Sequence, residues 1–148
     1  MFSEFFQEQW PLFLAVFIIT LVLVYSYFGD KIAGFKGVNT DEAVRLFNDD
    51  AFLLDVRTAG EYKEGFIGEA LNISVSEIDS NMNKMPKDKE TSILVYCQTG
   101  ARSSKAAARL AKEGYQNVFN LNGGIAAWQT AGLPVVRKKP SKKKKKQA

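Results

Sequence analysis

The sequence predicts an α/β domain with a mostly parallel sheet, preceded by one transmembrane helix. Past Gly37, short apolar segments rich in strand-forming residues alternate with segments of helical pattern, which is typical of parallel strands covered by helices on both faces. Before this point the chain is different, because no charged residue occurs between Trp10 and Phe28. The 148 residues therefore divide into an N-terminal helix, one compact domain over residues 37–136 and a basic tail over residues 137–148.

The uncharged segment from Trp10 to Phe28 is predicted to cross a membrane as a single helix. Its nineteen residues span about 28 Å at 1.5 Å per residue, close to the thickness of the hydrocarbon core of a bilayer. Trp10 at one end and Tyr25 and Tyr27 at the other suit the two water interfaces. A core helix would carry a polar face, and a cleaved signal peptide would begin with basic residues, whereas residues 1–9 contain only acidic ones.

Basic residues near the span predict its orientation. Lys31, Lys36 and Arg45 all follow the span, and no basic residue precedes it. Because basic residues accumulate on the cytoplasmic side, the domain is predicted to be cytoplasmic and residues 1–9 to lie on the other side. Residues 29–36 contain two glycines and are predicted to form a flexible linker between helix and domain.

The elements of the domain are predicted from caps and apolar periodicity. Thr40 is predicted to cap a first helix, because Asp41 and Glu42 follow in the first turn and Val44 and Phe47 form an inward face. The predicted strands are Phe52 to Val56, Ala70 to Ser74, Ser92 to Tyr96 and Val118 to Leu121. The other predicted helices are Val75 to Met85, Ser103 to Lys112 and a short helix around Trp128.

One cysteine and no histidine restrict the chemistry of the chain. A structural zinc site needs about four Cys or His ligands, and an internal disulfide needs a second thiol. The composition therefore excludes a structural zinc site, an internal disulfide and any mechanism assisted by histidine. We expect neither a metal nor another cofactor.

The basic tail differs in charge from the rest of the chain. Residues 137–148 hold eight of the twenty basic residues and none of the sixteen acidic ones, so the remainder carries a net charge of −4. A mildly acidic domain is not expected to bind nucleic acid. The tail is predicted to be disordered, and the run from Lys138 to Lys146 can bind anionic lipid head groups or the phosphates of ribosomal RNA.

A candidate site lies where the most apolar predicted strand runs directly into Cys97. The segment CQTGARS connects this strand to a helix, so its loop lies at the carboxyl edge of a parallel sheet, where such folds bind ligands. Gly100 relaxes the loop, whose amides can turn inward and form an anion-binding nest at a helix N-terminus. Such a nest stabilises a thiolate and predicts a reactive cysteine. The alternative is that Cys97 is a small buried apolar residue.

The segment CQTGARS, together with LLDVRTAGEYKEGFIGEALNIS before it and NLNGGIAAWQTAGLPV after it, resembles the rhodanese sulfurtransferases. The resemblance covers residues 37–136. It implies a doubly wound, mostly parallel sheet of five strands. With the N-terminal helix included, the chain resembles the single-domain bacterial type that is anchored to the inner membrane, which would place residues 1–9 in the periplasm.

The resemblance implies that Cys97 carries sulfane sulfur as a persulfide. The sulfur would come from thiosulfate or another persulfide and pass to an external thiol acceptor, since the chain has no second thiol. Arg102 would hold the anionic donor, and the loop amides would surround the sulfur. A doubly charged thiosulfate would meet only this one basic side chain in the loop. The implied substrate-binding residues are Gln98, Thr99, Gly100, Ala101, Arg102 and Ser103.

Residues outside the loop also match the family pattern. The resemblance implies that Asp55 and Arg57 form an ion pair that orders the loops beside the site. Glu61 and Tyr62 match the next segment of the pattern, and roles on a helix surface and in packing explain them at least as well as a chemical role.

Two other functions compete with sulfur transfer. The dual-specificity phosphatases share the rhodanese fold but use a longer loop between cysteine and arginine than the four residues Gln98 to Ala101 found here. The second alternative is a membrane-tethered interaction module, in which the anchor and the lysine tail bind membrane-protein biogenesis machinery, anionic lipid or the ribosome.

Overall fold

The computed structural model describes residues 1–137, which fall into two compact units. The first unit is Met1–Ala33, and the second begins at Gly34. Of the predicted polybasic disordered tail over residues 137–148, all but Arg137 lies outside the described residues.

The first unit is one helix, α1, which spans Phe2–Ala33. Residues 7–29 of this helix are long and apolar enough to cross a membrane, and the predicted span of residues 10–28 lies within them. The predicted flexible linker differs from the structure, because residues 29–33 continue the helix. The helix ends where Gly34 adopts a positive φ of 76°, and Pro11 lies within the helix without ending it.

The second unit contains a sheet of five parallel strands, as predicted. Their order across the sheet is β1-β5-β4-β2-β3, with β4 in the centre. The strands are β1 (Lys36–Val38), β2 (Phe52–Asp55), β3 (Leu71–Asn72), β4 (Ile93–Tyr96) and β5 (Val118–Leu121). The first strand was not located from the sequence, because it has three residues and only one of them is buried.

Four helices accompany the sheet, together with two short 3-10 segments. The helices are α2 (Thr40–Asn48), α3 (Ala59–Glu64), α4 (Ala101–Lys112) and α5 (Gly124–Thr130), and the 3-10 segments are Val75–Glu77 and Asp79–Lys84. The cap of α2 is Asn39 and not Thr40, because the Asn39 side chain accepts from the Glu42 amide at 2.9 Å. Helix α4 begins two residues earlier than predicted, directly after Gly100.

The predicted helix from Val75 to Met85 is wrong, since the 3-10 segments replace it. This part of the chain is rich in Ser, Asp and Asn, whose side chains compete for backbone hydrogen bonds and disfavour a regular helix. Asn81 illustrates the effect, because its side chain donates to the Glu77 carbonyl at 2.9 Å and its own φ/ψ of −115° and 18° are not helical.

The core covers both faces of the sheet, which explains why β4 is apolar throughout. Ile93 and Val95 face one cluster, which includes Leu110 of α4. Leu94 and Tyr96 face the opposite cluster with residues of α2 and α5. Packing on both faces holds β4 at the centre of the sheet, so the loop that follows it starts from a fixed point.

Candidate functional site

Cys97 directly follows β4 at the carboxyl edge of the sheet, as predicted. It is a free cysteine and only 1% exposed. The loop then passes through Gln98, which is half-buried, and Thr99, which is exposed, to Gly100. Gly100 has a φ of 105°, which favours glycine and turns the chain into α4 at the exposed Ala101. The cysteine therefore lies at the base of a tight turn that leads into a helix N-terminus.

Hydrogen-bond donors of the loop converge on the Cys97 sulfur. The Gly100 amide lies 3.0 Å from Sγ, and the Ser103 hydroxyl lies 3.4 Å from it. Burial raises the pKa of the Cys97 thiol, but hydrogen bonds from the Ser103 hydroxyl and from the amides of Ser103, Gly100 and Thr99 lower it by more. The net effect is a pKa below the ordinary value of 9.0, as a nucleophilic cysteine requires.

The Ser103 hydroxyl has three acceptors within reach. Besides the Cys97 sulfur, these are Oδ1 of Asn120 at 2.5 Å and the Gly100 carbonyl at 3.1 Å. A hydroxyl carries one proton and donates it to one acceptor at a time. Asn120 is a buried residue of β5 that was not predicted to belong to the site, and its Nδ2 donates to the Gly100 carbonyl at 3.3 Å. Asn120 therefore holds the loop through the Gly100 carbonyl, and its Oδ1 competes with the Cys97 sulfur for the Ser103 proton.

The start of α5 supports the loop from behind. The amides of Ile125 and Ala126 donate to the carbonyls of Cys97 at 2.9 Å and Gln98 at 3.2 Å. Gly124 lies so close that a Cβ atom there would meet both of these carbonyl oxygens at 2.5 Å. A glycine at this position therefore allows the close approach of α5 to the loop.

Arg102 forms a bidentate ion pair with Glu61, a residue of α3. Its two terminal nitrogens each lie 2.8 Å from a carboxylate oxygen of Glu61. The pairing with Arg102 is the largest of the causes that lower the pKa of Glu61 to about 2. A role on the helix surface does not describe Glu61, because its side chain reaches the site loop from a position 41 residues earlier in the chain.

Asp55 and Arg57 form the ion pair that the resemblance implies, and the pair is buried. Both the Arg57 side chain, 4% exposed, and the Asp55 side chain, 0% exposed, are removed from solvent. Nη2 of Arg57 lies 2.6 Å from Oδ2 of Asp55 and also donates to the Gly65 carbonyl at 2.6 Å. Nη1 donates to the Glu61 carbonyl at 3.3 Å. Arg57 therefore connects the end of β2 to Glu61 within α3 and to Gly65, which follows that helix.

Tyr62 has the packing role that was considered for it. Its ring stacks on Phe66 with a centroid separation of 4.2 Å, and its hydroxyl donates to the Ala70 carbonyl at 2.7 Å. Within residues 1–137, no group of three or more His, Cys, Asp or Glu residues is placed to hold a metal ion.

The site combines a buried cysteine, a tight loop lined by amides and an arginine after four intervening residues. Known proteins show which family has this sequence pattern. The family model of the rhodanese-like domain matches residues 39–131. The chain belongs to the rhodanese-like family. The rhodanese-like match begins at the cap of α2 and ends just after α5, so it contains every residue of the site described above.

Named relatives agree with this assignment. A protein of Allochromatium vinosum called a sulfurtransferase is 43% identical over 88 residues, which cover 60% of this chain and 80% of that protein. The uncharacterized protein YibN of Escherichia coli K12 is 31% identical over 128 residues, which cover 85% of this chain and 87% of YibN. The crystal structure of a rhodanese-related protein from Thermoplasma volcanium superposes with a TM-score of 0.64 at 29% identity, covering 70% of this chain and all of that one.

Proposed function

We propose that this rhodanese-like protein is a sulfurtransferase that carries sulfane sulfur as a persulfide on Cys97. The observation that supports the proposal best is the convergence of the Gly100 amide and the Ser103 hydroxyl on the Cys97 sulfur. These donors stabilise the thiolate before the reaction and can stabilise the terminal sulfur of the persulfide after it. The name of the relative from Allochromatium vinosum supports the same activity.

The proposed reaction consists of two displacements at sulfur. In the first, the Cys97 thiolate attacks the sulfane sulfur of thiosulfate or of a persulfide, a new S–S bond forms, and the donor's S–S bond breaks to release sulfite or a thiolate. In the second, an acceptor thiolate attacks the terminal sulfur of the Cys97 persulfide, and Cys97 leaves as a thiolate. The acceptor must be external, because the chain has no second cysteine.

The short loop favours sulfur transfer over phosphate-ester hydrolysis. Four residues, Gln98 to Ala101, separate the cysteine from Arg102, and the Gly100 amide already lies 3.0 Å from the sulfur. A loop this tight suits one added sulfur atom better than a phosphate group with its oxygen atoms.

The proposed location is a bacterial inner membrane, with α1 as a single-pass anchor and the domain in the cytoplasm. The length and apolar character of residues 7–29 support the anchor. The basic residues that follow the span, Lys31 and Lys36, support the orientation. The cytoplasm would also keep the single thiol of the chain reduced.

A membrane-tethered interaction module is the second candidate function. The lysine run from Lys138 to Lys146 favours it, because such a run binds anionic lipid head groups or ribosomal RNA through charge. In this case the anchor and tail would hold the domain next to membrane-protein biogenesis machinery, and sulfur transfer would be secondary or absent.

The intact mass of the protein after exposure to sulfur donors tests the proposed activity. The full chain in a nonionic detergent is incubated with thiosulfate and, separately, with a small alkyl persulfide, beside a Cys97→Ser variant. We expect the wild type to gain the mass of one sulfur atom, and the variant to gain none. If neither donor adds sulfur to a Cys97 that iodoacetamide alkylates readily, the activity is absent and the interaction module is the better description.

A further inference from the structure

The ion pair of Arg102 and Glu61 places two opposite charges beside the Cys97 loop. Arg102 is the only charged residue of the segment from Cys97 to Ser103, and both of its terminal nitrogens bind the Glu61 carboxylate at 2.8 Å. The other nearby arginine, Arg57, is buried against Asp55 and is not available to a donor. With Cys97 as a thiolate, the formal charges of Cys97, Arg102 and Glu61 add up to −1 at the place where an anionic donor must bind.

Glu61 is held in this position by contacts other than Arg102. Its carboxylate accepts from the amide and the hydroxyl of Thr58, both at 2.9 Å, and so completes the capping box of α3. Its backbone carbonyl accepts from the buried Arg57. Because none of these contacts involves Arg102, the position of the carboxylate does not depend on the arginine alone.

The carboxylate is also charged under all ordinary conditions. Arg102 and the two Thr58 donors lower the pKa of Glu61 to about 2, so Glu61 remains ionised at neutral pH. The pair is about one-third exposed, so solvent weakens its interactions without removing them.

We propose that Glu61 determines donor specificity, by neutralising Arg102 and so selecting alkyl persulfides against the doubly charged thiosulfate. The inference rests on the proposed sulfurtransferase activity. Thiosulfate brings two negative charges to a site with a net negative charge and releases sulfite as a second anion. An alkyl persulfide without carboxylate groups brings at most one negative charge, and the repulsion that it meets is correspondingly smaller.

Glu61→Gln tests the proposal with a small structural change. Glutamine also completes a capping box at this position of a helix, so the variant can keep an oxygen acceptor for Thr58 while it loses the charge and one of the two oxygens that bind Arg102. The matched control is Glu64→Gln, which removes the same charge from an exposed residue of the same helix. A change in reactivity that comes only from the net charge of the protein should appear in both variants. Only Glu61→Gln weakens the ion pair of Arg102.

The primary measurement is the second-order rate constant for adding sulfur to Cys97, followed by intact mass on the full chain in nonionic detergent. Thiosulfate and a carboxylate-free alkyl persulfide are compared for each protein. We expect the ratio of the thiosulfate constant to the persulfide constant to rise about tenfold in Glu61→Gln, equivalent to about 1.4 kcal/mol, and to stay within about twofold of wild type in Glu64→Gln. A ratio that is equal in all three proteins, even if both constants fall, would overturn the proposal.

Alkylation provides a readout that does not need sulfur transfer. Iodoacetate carries a negative charge and iodoacetamide does not, and both react only with the thiolate, so the ratio of their rate constants cancels any change in the pKa of Cys97. We expect this ratio to rise about fivefold in Glu61→Gln and to remain unchanged in Glu64→Gln. If the wild type accepts sulfur from neither donor, the proposed activity fails while the alkylation ratio still decides the role of Glu61.

A measurement on the wild type covers the case in which Glu61→Gln does not fold. Salt screens the repulsion between the site and an anion, so the iodoacetate to iodoacetamide ratio should rise between low and physiological ionic strength. Glu64→Gln, measured in parallel, shows how much of the rise comes from overall charge. A ratio that falls with salt in both proteins would indicate a net positive site and would overturn the proposal.

Discussion

At the scale of single residues, Cys97 is subject to two opposing effects. Its burial disfavours the thiolate, whereas the hydroxyl of Ser103 and the loop amides favour it. The second effect is larger, and the pKa of Cys97 lies below its ordinary value. The stabilisation comes from uncharged hydrogen-bond donors of Ser103, Gly100 and Thr99. The charged pair of Arg102 and Glu61 can therefore influence which donor binds without removal of the groups that activate Cys97.

Removal of the Ser103 hydroxyl should raise the pKa of Cys97. Ser103→Ala deletes the largest contribution that favours the thiolate, so the alkylation rate at a given pH below that pKa should fall. The measurement is the rate of alkylation by iodoacetamide as a function of pH, whose midpoint should move upward in the variant. Ser104→Ala is the matched control, because the Ser104 hydroxyl donates to the Ala101 carbonyl and does not reach the sulfur. A midpoint that stays in place in Ser103→Ala would contradict this account.

The buried pair of Asp55 and Arg57 should be much more important for stability than a surface pair. Arg57→Ala leaves the Asp55 carboxylate buried and uncompensated, and we expect it to lower the free energy of unfolding by about 3–5 kcal/mol. Arg109→Ala, which breaks exposed pairs with Asp79 and Glu113, should change the free energy of unfolding far less, because solvent screens exposed ion pairs. Urea denaturation followed by tryptophan fluorescence compares the two, and similar losses in both variants would refute the expectation.

At the scale of elements, the site is a contact between a loop and the start of a helix. The amides of Ile125 and Ala126 in α5 bind the carbonyls of Cys97 and Gln98, and Gly124 allows this approach. The loop is thus held on one side by α5 and on another by the pair of Arg102 and Glu61. Because the loop amides stabilise the thiolate, a displaced α5 should reduce the reactivity of Cys97.

Gly124→Ala should therefore impair both folding and reactivity. Its Cβ would meet two backbone oxygens at 2.5 Å, and the φ of 60° is unfavourable for alanine as well. Gly114→Ala is the control, since it has a positive φ of 94° but no atom within 4 Å of the added Cβ. Both variants should lose about 1–2 kcal/mol from the backbone, and Gly124→Ala should lose about 1–3 kcal/mol more from the clash. Iodoacetamide should alkylate Cys97 more slowly only in Gly124→Ala, and equal effects of the two variants would contradict the proposed packing.

Sequence patterns predicted those elements that depend on residues close together in the chain. The apolar segment before Cys97, the tight loop and the alanine-rich α4 are contiguous in the chain, and the structure has all of them. The contacts of Glu61 with Arg102 and of Asn120 with Ser103 could not be predicted in this way. Their partners are 41 and 17 residues apart, and only the packing of α3 and β5 beside β4 brings them together.

At the scale of the whole molecule, the chain combines three parts with different physical properties. Helix α1 is apolar, the domain that follows is mildly acidic, and the residues after Val136 are strongly basic. The acidic domain is not expected to bind an anionic surface by itself, because like charges repel. Any electrostatic attraction to a membrane or to RNA must therefore come from the basic residues at the C-terminal end.

The contribution of this basic segment can be separated from that of the anchor. A chain that begins at Gly34 lacks α1 and retains the lysines, and we expect it to bind vesicles containing anionic lipid at low salt, since each basic residue near the surface contributes about 1 kcal/mol. Cosedimentation should show that binding falls at least about tenfold between low and physiological ionic strength, because salt screens these charges. The control lacks residues 138–148 as well and should not bind. Salt-independent binding, or equal binding to vesicles of zwitterionic lipid, would show that the lysines do not hold the domain at the membrane and would leave the anchor as its means of attachment.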